Sequence, residues 1–166
     1  GSVVKAVLDI YGNLPVQFVP GHPIAGSEKS GVEAANSQLF KDHRVILTPH
    51  NTADCEHLKL VSAVWSSVGA VVSTMSVDEH DSILAATSHL PHFLAYSLVD
   101  TLASVGDNRE IFRYAAGGFR DFTRIAASDP VMWRDIALAN REPILSILDQ
   151  VMNNFQMLRG AIDKGD

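Results

Sequence analysis

A change of periodicity near residue 75 constrains this chain more than any other feature. Up to about Met75, short β-type runs alternate with helical ones; after Ser76 the strand pattern stops and apolar residues recur at helical spacing. Val3 to Ile10 reads as a helix closed by Tyr11-Gly12-Asn13. Gln17-Phe18-Val19 is a short apolar run, predicted as a strand stopped by Pro20-Gly21, and Arg44 to Thr48 is a second, stopped by Pro49. Thr52 or Asp54 is placed to cap a helix that runs to about Val68, with Gly69 just past its end. Ala70 to Ser73 makes a third strand. Strands alternating with helices imply α/β architecture and a parallel or mixed sheet. Three strands are few for an independent sheet, so this part is expected to be a piece of a larger one.

The second half reads differently. Ile83, Leu84, Thr87, Leu90, Leu94, Leu98 and Leu102 follow helical spacing, with Pro91 inside the run. Proline cannot donate to the carbonyl four residues back, so an interruption is expected there. Gly106-Asp107-Asn108 and Gly117-Gly118 separate shorter pieces, and Asp129-Pro130 is a helix start, a capping aspartate followed by proline at the first helical position. A last helix is expected from about Pro143, with Ile144, Leu145, Ile147, Leu148, Val151, Phe155 and Leu158 on one stripe. The predicted fold is therefore mainly α, an all-helical domain over 76–166 preceded by an α/β portion over 1–75.

Composition narrows the function classes. At 46% hydrophobic and 19% charged residues the chain can bury a core. No stretch of apolar residues is long enough to suggest a membrane span. No basic leader with a cleavage pattern suggests secretion, and the one cysteine, Cys55, excludes an internal disulfide, so a reducing cytoplasm is expected. The net charge of −6 argues against a sequence-independent nucleic-acid binder. It leaves a small anionic substrate open, because a few cations lining a cleft set the local field.

Three clusters carry candidate chemistry. In Gly21-His22-Pro23-Ile24-Ala25-Gly26-Ser27-Glu28-Lys29-Ser30-Gly31, a histidine follows an expected strand, where ligands bind in α/β sheets, and a polar turn comes after it. It reads either as a catalytic base beside a polar loop or as a surface loop with an incidental histidine. In Ser88-His89-Leu90-Pro91-His92, residues 88 and 92 share a helix face. That face is either a substrate-facing patch or a pair of core histidines satisfied by backbone. In Gly117-Gly118-Phe119-Arg120-Asp121-Phe122-Thr123-Arg124, two arginines four apart present planar donor forks suited to a dicarboxylate, or else an ordinary exposed helix pair. Trp65 and Trp133 read as core. There is no G-x-G-x-x-G and no G-x-x-x-x-G-K-[ST], so no phosphate cradle is visible. No Cys/His zinc spacing occurs and no metal is expected; the His80-Asp81 pair motivates a metal-dependent hydrolase reading but lacks a full ligand set.

Together the blocks His22 to Gly31, Ser88 to His92, Gly118 to Ala126, Ser128-Asp129-Pro130 and Met132-Trp133-Arg134-Asp135 closely resemble the prephenate dehydrogenase family, with its arogenate and cyclohexadienyl relatives, in order and spacing. The resemblance implies an N-terminal Rossmann domain, of which 1–75 would be the last part, and a helical dimerisation domain over 76–166. It implies oxidative decarboxylation of prephenate to 4-hydroxyphenylpyruvate with NAD or NADP, in tyrosine biosynthesis, by a homodimer. The alternatives are arogenate as substrate, or a non-catalytic helical dimerisation module. His22 resembles the catalytic histidine that draws the ring hydroxyl proton as hydride leaves. Arg124 resembles the arginine that grips a carboxylate, His92 and Ser88 substrate contacts, Ser27 a polar neighbour, and Glu28 an acidic group that tunes access. Gly118, Arg120, Asp121 and Trp133 resemble residues reaching into the other subunit's site, although lysine is frequent in the family at the position of Arg120. Tyrosine is a candidate feedback ligand. Without the glycine-rich loop, these 166 residues alone are expected to be catalytically silent.

Overall fold

A computed structural model describes residues 1–26, 31–50, 55–106 and 108–166 of the chain. It forms two compact units, Gly1–Asp81 and Ser82–Asp166.

The first unit opens with α1 (Ser2–Tyr11), which stops where Gly12 turns left-handed at φ 72° and donates its N–H to Leu8 O. Three strands follow, β1 (Gly21–Ile24), β2 (Arg44–Leu47) and β3 (Val71–Thr74), in the order β1-β2-β3. β1 is antiparallel to β2, and β2 is parallel to β3, so the sheet is mixed. β2 is the hydrophobic centre: Val45 and Leu47 are fully buried and Ile46 nearly so, the continuous apolar run expected of a strand covered on both faces. Helix α2 (Cys55–Ser67) lays Leu58, Val61 and Trp65 onto the cluster of Val45, Leu47 and Ala70. The Trp65 ring meets Phe40 edge-on at 5.1 Å, which makes Trp65 part of this core as its apolar setting suggests. Gly69, at φ 84°, reverses the chain between α2 and β3, a conformation that side chains disfavour. The expected caps Thr52 and Asp54 lie outside the described residues.

The first strand is not where the apolar run Gln17-Phe18-Val19 placed it. Those residues form a turn and irregular chain, and the strand is Gly21-His22-Pro23-Ile24. Glycine and proline usually mark strand ends. Here, among the described residues, β1 pairs with β2 alone, and an edge strand tolerates a residue without an N–H. His22 therefore lies within a strand rather than beyond one. Because β1 runs antiparallel, its first residues still sit at the carboxyl ends of β2 and β3: His22 is opposite Ile46, which is opposite Ser73.

Helix α3 (Val77–Leu84) starts from that same edge. Ser76 Oγ accepts the Glu79 N–H at 3.2 Å, and Glu79 returns its carboxylate to the Ser76 N–H and hydroxyl, each at 3.0 Å. This reciprocal capping box fixes where the helix begins. Accepting the Ser76 backbone N–H, and then its hydroxyl, holds the Glu79 carboxyl below its ordinary pKa.

In the second unit the interruption expected at Pro91 takes the form of a π turn, Ala85–His89, directly ahead of α4 (Leu90–Ala103). Pro91 occupies the first turn of α4, where its missing N–H removes one bond of the ladder and a widened turn accommodates the ring. After α5 (Asn108–Arg113) come α6 (Gly117–Thr123), a 3-10 turn (Arg124–Ala127), α7 (Pro130–Ala139) and α8 (Arg141–Lys164). Asp129 caps α7 as expected, accepting the Val131 N–H at 2.8 Å. α8 begins two residues before Pro143, which then sits in the first turn, where N–H groups have no helical partner. Helix α4 packs against α6, the 3-10 turn and α8, and Leu84, Ala85, Ala95, Trp133 and Ile144 are the buried apolar residues of this part. Tyr96 on α4 donates to Ser128 O at 2.8 Å. Along α8, by contrast, Met152, Phe155, Met157, Leu158 and Ile162 are more than half exposed. Among the described residues, no helix is long and apolar enough to cross a membrane.

Candidate active site

His22 is exposed on the edge strand, yet its ring is not alone. Its Nδ1 lies 2.9 Å from Nε2 of His80, on the first turn of α3, with ring centroids 5.1 Å apart. Nδ1 of His80 in turn lies 2.8 Å from Oδ1 of Asp81. Partial burial, then the nearness of His80, lowers the pKa of His22. The neutral imidazole, which can accept a proton, is thereby favoured near pH 7. Ser27 and Glu28, the polar residues expected beside this histidine, lie outside the described residues.

The second unit gathers another set. His92 donates its Nδ1–H to Ser88 O at 2.9 Å, which leaves Nε2 as the acceptor atom. Its ring stacks on Trp133, centroids 3.6 Å apart and planes at 20°. His89 and Phe93 meet the same indole edge-on at 6.0 Å, and His89 Nδ1 pairs with Asn140 Nδ2 at 3.1 Å. His92 is thus satisfied by backbone through one nitrogen, as the core reading of this face expects. Trp133 is 6% exposed, and its indole N–H has no hydrogen-bond partner among the described residues. The expected core tryptophan is therefore found in the core of its own chain, packed on a candidate site residue.

Gly118, Arg120, Asp121 and Arg124 form a third group. The first three lie on α6, but the helix stops at Thr123 and Arg124 opens the 3-10 turn, so the two arginines do not continue one α-helical face. Arg120, Asp121 and Arg124 are exposed. Gly118 has neither a positive φ nor any described atom within 4 Å of where a Cβ would stand. Nothing among the described residues requires glycine at that position. Among the described residues, no group of three or more His, Cys, Asp or Glu side chains comes together in a way that could hold a metal ion.

Reasoning from the sequence passed over the partnership of His22 with His80 and Asp81. The signal was present in Ser76-Val77-Asp78-Glu79, the capping box that starts α3 just after β3 and so brings His80 to the edge where His22 stands.

Comparison with known proteins shows the family. Residues 76–166 match the family model of the prephenate dehydrogenase dimerization domain, and residues 1–74 match that of the prephenate dehydrogenase nucleotide-binding domain. The chain is 41% identical to the cyclohexadienyl dehydrogenase of Zymomonas mobilis, over 99% of this chain and 56% of that protein. It is 42% identical to the prephenate dehydrogenase of Bacillus subtilis, over 100% of this chain and 46% of that protein. Among solved structures, the prephenate dehydrogenase of Aquifex aeolicus in complex with hydroxyphenyl propionate and NAD+ superposes with a TM-score of 0.88 at 45% identity, covering 99% of this chain and 57% of the other. A segment matching a nucleotide-binding domain is thus followed by one matching a helical dimerisation domain. The chain belongs to the prephenate dehydrogenase family. It spans about half the length of the curated relatives it matches.

Proposed function

We propose that this chain supplies the substrate-side groups of an NAD(P)-dependent dehydrogenase that converts prephenate to 4-hydroxyphenylpyruvate. Residues 1–75 would be the last part of its nucleotide-binding domain and 76–166 its substrate-binding and dimerisation domain. The observation that carries this reading is His22, an exposed imidazole at the carboxyl edge of β2 and β3 whose pKa is lowered by partial burial and by His80. A neutral imidazole accepts the hydrogen bond of the ring hydroxyl and takes its proton as the carbon beneath loses hydride, which is general-base catalysis. Carbon dioxide leaves as the ring becomes aromatic, a step that asks little of the protein.

The chain has no glycine-rich phosphate loop, so it does not itself provide the cradle for the diphosphate of NAD or NADP. When bound, the dinucleotide supplies the hydride acceptor. The remaining roles belong to this chain. Arg124 offers a planar fork to a substrate carboxylate, and Ser88 and His92 provide polar contacts. Ser27 adds a polar contact and Glu28 tunes access. Gly118, Arg120 and Asp121 serve the site of a second copy in a homodimer, whereas Trp133, packed on His92 of its own chain, backs the site from within rather than reaching across. The open surroundings of Gly118 and the apolar residues exposed along α8 support that assignment. Arogenate differs from prephenate only in its side chain and is the alternative substrate. Tyrosine shares the hydroxyphenyl ring and a carboxylate, and fits the same groups as a feedback ligand.

Calorimetric titration with prephenate or a hydroxyphenyl analogue tests the reading. Binding should weaken by about 10- to 10²-fold in Arg124→Ala, as loss of a charge-assisted pair of roughly 1.5–3 kcal/mol implies. Unchanged affinity would remove Arg124 from the site.

A further inference from the structure

His80 and Asp81 take no part in the chemistry proposed above, yet they hold the residue that does. The carboxylate of Asp81 can only accept, so at 2.8 Å the proton lies on Nδ1 of His80. When His80 is neutral its imidazole carries that one N–H, which leaves a lone pair on Nε2. That lone pair faces Nδ1 of His22 at 2.9 Å, and this contact is a hydrogen bond only if His22 donates. With its proton on Nδ1, neutral His22 keeps Nε2 bare. From this chain of donors and acceptors we infer that His80 and Asp81 are positioning residues that lock His22 in its Nδ1–H tautomer and so make Nε2 the basic atom. The inference rests on the reading of His22 as the base.

Three further observations agree. The side chains of His80 and Asp81 are only 16% and 20% exposed, whereas His22 is exposed, so the chain of bonds runs from a sheltered anion to an accessible base. The capping box at Ser76 and Glu79 fixes the turn of α3 on which His80 stands. Burial alone would push the Asp81 carboxyl up, but hydrogen bonding, with His80 among the donors, holds it below its ordinary range, so it meets His80 as a carboxylate. An exposed histidine can be satisfied by water. A fixed tautomer matters only where one nitrogen has a task, since the wrong one leaves a base unable to accept.

The test uses the full-length enzyme with labelled histidines. Long-range nitrogen spectra at neutral pH should show wild-type His22 protonated on Nδ1. In His80→Phe the acceptor is lost, and His22 should shift toward the Nε2–H form. kcat should fall by about 10- to 100-fold with KM within about twofold, part of the ~10⁴ that a complete change of tautomer can remove. His80→Gln, whose amide oxygen reaches the place of Nε2, should recover most of the lost kcat. A wild-type His22 protonated on Nε2, or an unchanged tautomer in His80→Phe, would overturn the inference; should that variant not fold, the wild-type spectrum decides. Full turnover by His22→Asn would instead remove the base assignment, and the spectra would still report whether His80 and Asp81 fix the ring.

Discussion

Truncation of Trp133 is the most demanding structural test of the helical unit. The side chain is 6% exposed and is packed on His92, His89 and Phe93. A buried indole withdraws roughly 200–250 Å² from water, and at ~25 cal/mol per Å² that is about 5–6 kcal/mol as an upper bound. Measured tryptophan-to-alanine losses in cores, about 3–5 kcal/mol, agree. Trp133→Ala should therefore lower the urea midpoint, followed by helical circular dichroism, by about 1–5 M for a slope of ~1–3 kcal/mol per M. Trp133→Phe separates the ring from its N–H. The smaller ring sacrifices some contact with His92, but it also removes a buried donor that has no partner among the described residues, a group that costs about 1–3 kcal/mol. The two effects oppose each other, so Trp133→Phe should lie within about 1 kcal/mol of wild type. If phenylalanine were as damaging as alanine, the indole N–H would have to make a bond that this packing lacks. If alanine cost less than ~1 kcal/mol, the stack on His92 would not be structural.

Three further predictions follow from single contacts. Tyr96→Phe removes the hydroxyl that bonds Ser128 O at 2.8 Å and should cost about 1–2 kcal/mol in the same denaturation assay; no loss would mean that water replaces it fully. Asp129→Ala removes the α7 cap and should cost about 1 kcal/mol, with faster hydrogen exchange at the Val131 amide as the local sign. Glu79 has a folded pKa below its unfolded value, so its contribution is present above the unfolded pKa and is lost as pH falls through the folded one. The start of α3 should accordingly fray only in acid, with exchange at the Ser76 and Glu79 amides rising as the Glu79 carboxyl protonates. Glu79→Gln, which keeps an acceptor, should flatten that dependence.

The parts of the fold that rest on local chemistry were legible in the sequence. Gly12 and Gly69 ended helices, Asp129-Pro130 started one, and Arg44 to Leu47 read as a strand because burial on both faces demands an unbroken apolar run. The parts that failed depend on tertiary context. Gly21 and Pro23 look like strand breakers, and only their place on an edge allows β1 to form through them. Pro91 announced an interruption but not that it would be a π turn. The end of α6 at Thr123 was hidden, so Arg120 and Arg124 seemed to share a helical face that the 3-10 turn divides. The site was legible as separate blocks of residues. The pairing of His22 with His80 was not, because it joins residues 58 positions apart and needs both the antiparallel edge strand and the capped start of α3.

The claim on which the functional reading depends is that His22 is the general base. Replacing it with asparagine in the full-length enzyme, and measuring kcat and KM for prephenate with NAD and with NADP, tests that directly. The expected result is a fall in kcat of about 10²- to 10⁴-fold with KM changed little, since general-base assistance acts mainly in the transition state. A raised KM with kcat intact would contradict it and would leave His22 as a binding residue.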